Sequence, residues 1–335
     1  MKDEKIVNIS TITVLKVLFI VLLVWFLFAI REILLLFIIA IIISAAMDPI
    51  ADYFSKWKIP RGISVLLVYV LLLSLIGLIG YLLVPTMVDQ FQAVQSGNFV
   101  SAIQSKIGPY QQTLDRFGVS KSFNDTINEF RSGLAGNLFR TTKGVVTGIV
   151  SFITILVISF YLTAEEAGMK NFIRHLAPYK HQTYITGLVT KIQRKMGYWL
   201  LGQLILSVVI FGIVYIGLTV LHVQYALLLA LIAGVLEIIP YIGPFIAGAV
   251  TAFFAFLQSP GLALAAVIFF IIVQELEGHV LVPVIMSKSV GLNPVMVILA
   301  ILIGGSLGGI TGALIAVPIA SGVSVFVTDI MEQYT

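Results

Sequence analysis

Between Trp199 and Val327 only Glu237, Glu275, Glu277 and Lys288 carry a formal charge, and almost every neighbour is Leu, Ile, Val, Ala or Phe. A carboxylate in such surroundings is costly at membrane depth, so each is a candidate functional group. Glu237 opens the stretch Glu237-Ile238-Ile239-Pro240-Tyr241-Ile242-Gly243-Pro244. Proline lacks an N–H and clashes with the preceding turn, so no continuous α-helix is expected through it. Broken helix inside hydrocarbon survives only where protein or a water-filled cavity satisfies the freed groups. Glu237 can bind a coupling proton or cation there, or accept hydrogen bonds from substrate hydroxyls, with the Tyr241 phenol nearby. It can equally cap the backbone donors that the break frees. The residue types leave both roles open. A second group, Gln274-Glu275-Leu276-Glu277-Gly278-His279, ends another apolar run. Gln274 and Glu277, three apart, share a helix face, whereas Glu275 and Glu277 do not. The first two are the better pair for one site. The competing reading is an ordinary polar helix end near the headgroups, and His279 fits that reading.

The elements that must hold these groups are membrane helices. Of 335 residues, 59% are hydrophobic and 11% charged, against about 25% charged in soluble domains. Mean hydropathy is +1.07, and several runs exceed the roughly 18 apolar residues that mark a span. The net charge of +4 is small, and its basic residues fall in loops. That suits a positive-inside membrane protein better than a nucleic-acid surface. Absence of cysteine excludes disulfides, Fe–S clusters and thiol catalysis, and four histidines without an HExxH leave no metal signature. GxxxxGK[ST] does not occur, and the one GxSxG pattern, Gly304-Gly305-Ser306-Leu307-Gly308, lies in an apolar run and not at a strand-to-helix nucleophile elbow, so neither an enzymatic activity nor a cofactor is expected. The glycines of Gly304-Gly305-Ser306-Leu307-Gly308-Gly309 lack the strand–helix context of a dinucleotide site. Close helix approach or an unwound backbone explains them better.

In chain order, residues 1–85 read as three spans. Ile12–Ile30 comes first, then a polar corner at Arg31-Glu32. Ile33–Met47 runs back and continues through Asp48-Pro49, and Ile63–Val84 is closed by Pro85. The loop carrying Lys56, Lys58 and Arg61, with Tyr53 and Trp57 as interface anchors, is placed in the cytoplasm. Residues 86–143 are polar, with apolar positions three and four apart, and read as amphipathic helices outside the cell. Residues 144–198 hold a span over Val145–Thr163 and a basic, amphipathic segment with Lys170, Arg174, Lys180, Lys191, Arg194 and Lys195. That cluster is the strongest orientation signal and places both chain termini in the cytoplasm.

Residues 199–335 form the expected transport core. Leu200–Leu221 spans; Tyr225–Ile239 and Phe245–Leu257 flank the first break; Leu262–Val282 spans down to Pro283. Pro294–Ile303 and Thr311–Val327 flank the glycine cluster, with Pro318 in the second limb. The expectation is an all-α polytopic membrane protein of about eight segments, including two broken or re-entrant helical hairpins. A span followed by a broken pair, twice, opened from opposite sides, suggests inverted repeats.

The order Glu237 to Pro244, then Gln274, Glu277-Gly278 and Val280-Leu281-Val282-Pro283, continues through Lys288-Ser289-Val290-Gly291-Leu292-Asn293-Pro294. Gly304-Gly305, Gly309-Ile310-Thr311-Gly312 and Ala316-Val317-Pro318 complete it. Over these ninety or so residues the chain resembles the autoinducer-2 exporter family, also described as PerM-type permeases. Asn293 stands where that family more often has His. The resemblance implies a secondary transporter of the bacterial plasma membrane that is homo-oligomeric, with a pentamer as the suggested number. Named members are associated with export of autoinducer-2, a small polyhydroxylated signal, and others resemble Na+(Li+)/H+ antiporters. The leading expectation is an exporter of a small polar organic molecule. Glu237, Gln274, Glu277 and Tyr241 would lie at the pathway. Pro240, Gly243, Pro244, Pro283, Gly304, Gly305, Gly308, Gly309 and Pro318 would serve as breaks and gates. A cation/proton antiporter using the same carboxylates is the alternative. A non-transporting scaffold is a third, though it would have no use for isolated carboxylates.

Overall fold

The computed structural model describes residues 11–95, 138–165, 175, 177–286 and 292–334, and no strand occurs among them. Six helices are long and apolar enough to cross a membrane, and three shorter apolar segments accompany them. Length and composition alone therefore do not return the expected count of eight.

Helix α1 is Thr11–Ala29 and α2 is Arg31–Ser55. The expected reversal at Arg31-Glu32 is not observed. Ile30 N–H donates to Phe26 O at 3.0 Å and Leu34 N–H to Ile30 O at 3.0 Å, so helical bonding crosses the junction and the chain only bends. No residue of α1 is buried. Helix α2 continues through Pro49, as expected. Helix α3, Arg61–Gln95, runs past Pro85 rather than ending there. One proline removes a single helical bond, and a long helix absorbs that loss as a kink.

Helix α4 is Leu138–Ala164. A polar knot ties α2, α3 and α4 together. Arg61 donates to Asp52 at 3.0 Å, to Asp48 at 3.1 Å and to Thr163 O at 3.2 Å. The Thr163 and Ser44 hydroxyls are hydrogen-bonded at 3.0 Å, and the Tyr69 hydroxyl is bonded to Ser159. Of the outer region expected over 86–143, residues 96–137 lie outside the described residues.

Helix α5, Gln182–Val220, is continuous over 39 residues, about 58 Å. Trp199 is therefore not an element boundary. No proline interrupts α5, and its polar start continues the same helix beyond the roughly 30 Å hydrocarbon core. Lys191 pairs with Asp329 at 2.6 Å and ties this start to the last helix. Helix α6 is Ala226–Leu236, α7 Ile242–Gln258 and α8 Pro260–Leu276. Ser259 caps α8, accepting from Leu262 N–H at 3.1 Å, with Pro260 at the first helical position where its missing N–H costs nothing.

Leu206, Ile210, Val214 and Leu218 of α5 face Leu229, Ala230 and Ala233 of α6, Ala247 and Ala255 of α7, and Ala266 and Val273 of α8. Their spacing of three and four is that of buried helix stripes. This four-helix bundle is the frame of the site.

After α8 the backbone widens into a π-helical turn, Glu277–Leu281, then resumes as α9, Val282–Ile285. Pro283 therefore does not end the segment, as expected from sequence, but sits in its last turn. Lys288 lies outside the described residues. Helix α10, Pro294–Tyr334, is broken at Gly308 and Gly309, the latter at φ +59°. Its limbs touch at backbone distance: a Cβ on Gly312 would lie 2.0 Å from Gly304 O. The break is thus a doublet, narrower than the six-residue interruption expected. Gly304 serves the close approach, and the second limb runs through Pro318.

Gly312→Ala should force the limbs of α10 apart and destabilise the protein by about 1–3 kcal/mol, measured by thermal unfolding in detergent. Gly305→Ala, whose added Cβ would meet nothing closer than Ala313 Cβ at 3.9 Å, should be tolerated.

Candidate functional site

Chain reversal between α6 and α7 is accomplished in five residues, Glu237 to Tyr241. The donors at the turn find carbonyls of the turn itself. Glu237 N–H donates to Ala233 O at 2.9 Å, Ile239 N–H to Leu236 O at 2.9 Å and Gly243 N–H to Ile239 O at 2.9 Å. Ile242 N–H donates to Pro240 O at 2.8 Å, with Tyr241 between them at φ +65° and ψ −48°. That is a γ-turn of the rare, strained kind. Gly243 is required by contact: a Cβ there would lie 1.9 Å from Leu236 O. Pro244 stands in the first turn of α7, where it is tolerated.

Because these donors are satisfied by backbone, the Glu237 carboxyl has no capping to do. It is 1% exposed, and neither of its oxygens has a hydrogen-bond partner among the described residues. Its backbone carbonyl is held instead by the side chain of Gln203, itself 1% exposed, on α5. The residue next to the carboxyl is Glu277, 6% exposed. The two side chains act directly on one another, and Gln274 stands against Glu277 from one turn earlier. The expected face shared by Gln274 and Glu277 is therefore observed, and it meets Glu237 across the bundle.

Glu277 is where the π turn begins, and Val282 N–H reaches back to Glu277 O. The i→i−5 bond is a consequence of Pro283, whose ring would clash with the carbonyl four residues earlier in a regular helix. Such widened turns concentrate at functional sites.

Beside the pair, a cleft of about 670 Å³ runs between α7 and α8. Phe245 and Phe270 give it an apolar body, and Tyr241, Gln274, Glu275 and His279 make it polar at one end. Gln274 borders both the cleft and the carboxyl pair. His279 Nδ1 lies 3.2 Å from the Glu275 carboxylate, both side chains exposed, consistent with a polar rim. The second break is elsewhere: a Cβ on Gly308 would lie 3.4 Å from Leu35 Cδ1 of α2, so Gly304, Gly305, Gly308, Gly309 and Pro318 are not brought to the carboxyls. Among the described residues no group of His, Asp and Glu could hold a metal ion.

Gln203 was not singled out from sequence. Its signal was available, since it is the one amide in the apolar stretch from Trp199 to Val220.

Comparison with known proteins gives a family model described as AI-2E family transporter, which matches residues 15–332. YrrI of Bacillus subtilis (strain 168) is 28% identical over 317 residues, 91% of this chain and 89% of that protein. YueF of the same organism is 27% identical over 310 residues, 88% and 83% of the two chains; both are assigned to transport by name only. The AI-2 transport protein TqsA of Escherichia coli (strain K12) is 23% identical over 297 residues, 86% of this chain and 83% of that protein.

Gln203→Leu would leave the Glu237 carbonyl buried without its donor, a loss of about 1–3 kcal/mol. Thermal unfolding in detergent should show it, whereas Leu204→Ala, at an exposed neighbour, should change stability far less.

Proposed function

The chain belongs to the AI-2E transporter family, and from that premise we propose that it is a secondary transporter exporting a small polar organic molecule, with Glu237 and Glu277 as the coupling site. One observation carries the reading. Two carboxyls from different helices meet inside an apolar bundle, at the two points where those helices depart from α geometry. A buried carboxylate without a partner is too costly to be a packing feature, and with no cation paired to either among the described residues a mobile proton or cation is the natural counter-charge.

The cleft supports the cargo assignment. Gln274 can pass a hydrogen bond between a molecule in the cleft and Glu277, and the Tyr241 phenol and Gln274 amide offer donors for hydroxyl groups. TqsA, an AI-2 transport protein by name, makes autoinducer-2 the first candidate. The strained γ-turn at Tyr241 and the π turn at Glu277 are the places where a gating movement would be absorbed. The basic face of α5, with Lys191, Arg194 and Lys195, supports a cytoplasmic position for that end of the helix in a bacterial inner membrane and, through the Lys191–Asp329 pair, for the C-terminal end of α10. The uncovered apolar helix α1 supports contact with lipid and with further copies in a homo-oligomer.

A second reading, a Na+(Li+)/H+ antiporter, is favoured by one feature: both Glu237 oxygens lack a protein donor among the described residues, as suits a group that binds a bare cation.

Proteoliposomes with a trapped pH-sensitive dye separate the two. Under the exporter reading, autoinducer-2 added to wild type should move protons, and Na+, Li+ or K+ alone should not. Glu237→Gln and Glu277→Gln should each reduce the signal to background while the protein remains folded. Proton movement driven by Na+ or Li+ alone would promote the antiporter. Full activity in both glutamine variants would defeat the coupling role.

A further inference from the structure

Helical threonines have a default way to satisfy a buried hydroxyl, donation to the carbonyl one turn earlier. Thr154, Thr163, Thr186, Thr190 and Thr219 all use it, bonding Val150, Ser159, Gln182, Thr186 and Tyr215. Thr251 on α7 does not. It is 0% exposed, and its hydroxyl has no hydrogen-bond partner among the described residues. Ser207 Oγ on α5 and both carboxyl oxygens of Glu237 share that condition. Buried polar groups of this kind are commonly satisfied by ordered water.

Helix rise sets the depth of each group along the bundle. Ser207 is one turn along α5 from Gln203, about 6 Å towards the Val220 end, and Gln203 holds the Glu237 carbonyl. Gly234, three residues before Glu237, packs on the backbone of Ser207, its Cβ position 3.0 Å from Ser207 O. Thr251 is two turns along α7 from Gly243, about 12 Å, and Gly243 abuts the backbone of Leu236. Both hydroxyls are thus displaced from the carboxyl pair in one direction, towards the bundle end where Gln258 Oε1 accepts from Gln224 N–H at 3.2 Å. At about 2.8 Å per hydrogen bond, one bridging water covers a step of about 6 Å and about three in a row cover 12 Å. Ser321, also unpartnered, is on α10, outside this bundle.

We propose that Ser207 and Thr251 hold a file of water molecules that joins Glu237 to the Gln224–Gln258 end of the bundle and delivers its proton. Each water passes one proton on and takes one from the neighbour behind it, so the Glu237 carboxylate gains a proton while the file is restored from bulk water. The proposal rests on the coupling role of Glu237 for its proton step, but not for the water.

The test is Thr251→Val, which keeps the shape and removes the hydroxyl, with Thr251→Ser as the variant that keeps it. An unhydrated hydroxyl would make valine the better residue and raise the Tm. A hydroxyl anchoring water should make Thr251→Val melt about 2–4 °C lower. In proteoliposomes the same variant should slow proton uptake several-fold, and Thr251→Ser should restore the rate. A Tm at or above wild type, or an uptake rate equal to it, overturns the proposal. If wild type moves no protons under any gradient, the coupling role of Glu237 fails instead, and the Tm comparison still decides whether the file exists.

Discussion

Two carboxyl groups that face each other inside hydrocarbon set the constraint on which this structure depends. Each loses its water on burial, and when both are ionised each also repels the other. The surrounding bundle supplies no charged partner among the described residues. Gln203 spends its amide on the backbone of Glu237 rather than on the carboxyl, and Gln274 bonds to Glu277. An ionised carboxylate in this position therefore has no counter-charge from the described residues, and packing alone gives no reason to keep two such groups together.

The backbone is shaped to make the meeting possible. Two regular helices would present their carboxyls at fixed intervals, and α6 would continue past Glu237 into the space that α7 occupies. A γ-turn centred on Tyr241 reverses the chain in the shortest available way, at the cost of a bulky residue at positive φ. A glycine two residues later allows α7 to start against the carbonyl of Leu236. On α8 the device is different. Pro283 cannot accept a regular turn before it, the helix widens by one residue, and Glu277 lies at the point of widening. Both distortions are products of proline placed close after a glutamate, three residues on from Glu237 at Pro240 and six on from Glu277 at Pro283.

Much of this was legible in the sequence because the signals are local. Apolar runs report membrane helices, and proline with glycine beside a lone carboxylate reports a break. What was not legible depended on how much a helix can absorb. Pro85 and Pro318 carry the same local signal as Pro240, yet α3 and α10 run through them. The difference lies in neighbours: Pro240 is followed by Gly243 and Pro244, so three disfavoured residues act together. The corner at Arg31-Glu32 failed for a related reason. Two charged residues are compatible with helix, and nothing there removes a backbone bond, so the junction bends without reversing. Gln203 was passed over because an amide in a long apolar run carries no motif. Its partner, a main-chain carbonyl on another helix, has no sequence signature at all.

The two broken hairpins resemble each other in outline but not in chemistry. At the first, the reversal places a carboxyl against a second carboxyl and beside a cleft. At the second, Gly308 and Gly309 turn the chain with no ionisable side chain, and the limbs close until Gly304 and Gly312 touch. Where a true pair of equivalent sites would need a carboxylate at each reversal, this chain places both on one side of the relation. The second hairpin packs on α5 through Val297, Ile301, Ala313 and Val317 around Trp199, with Ile239 of the first turn beside them. Any movement of the α10 hairpin would therefore press on the turn that carries Glu237. Chemistry is concentrated in the first reversal, and the second is built as a tightly closed body that bears on it.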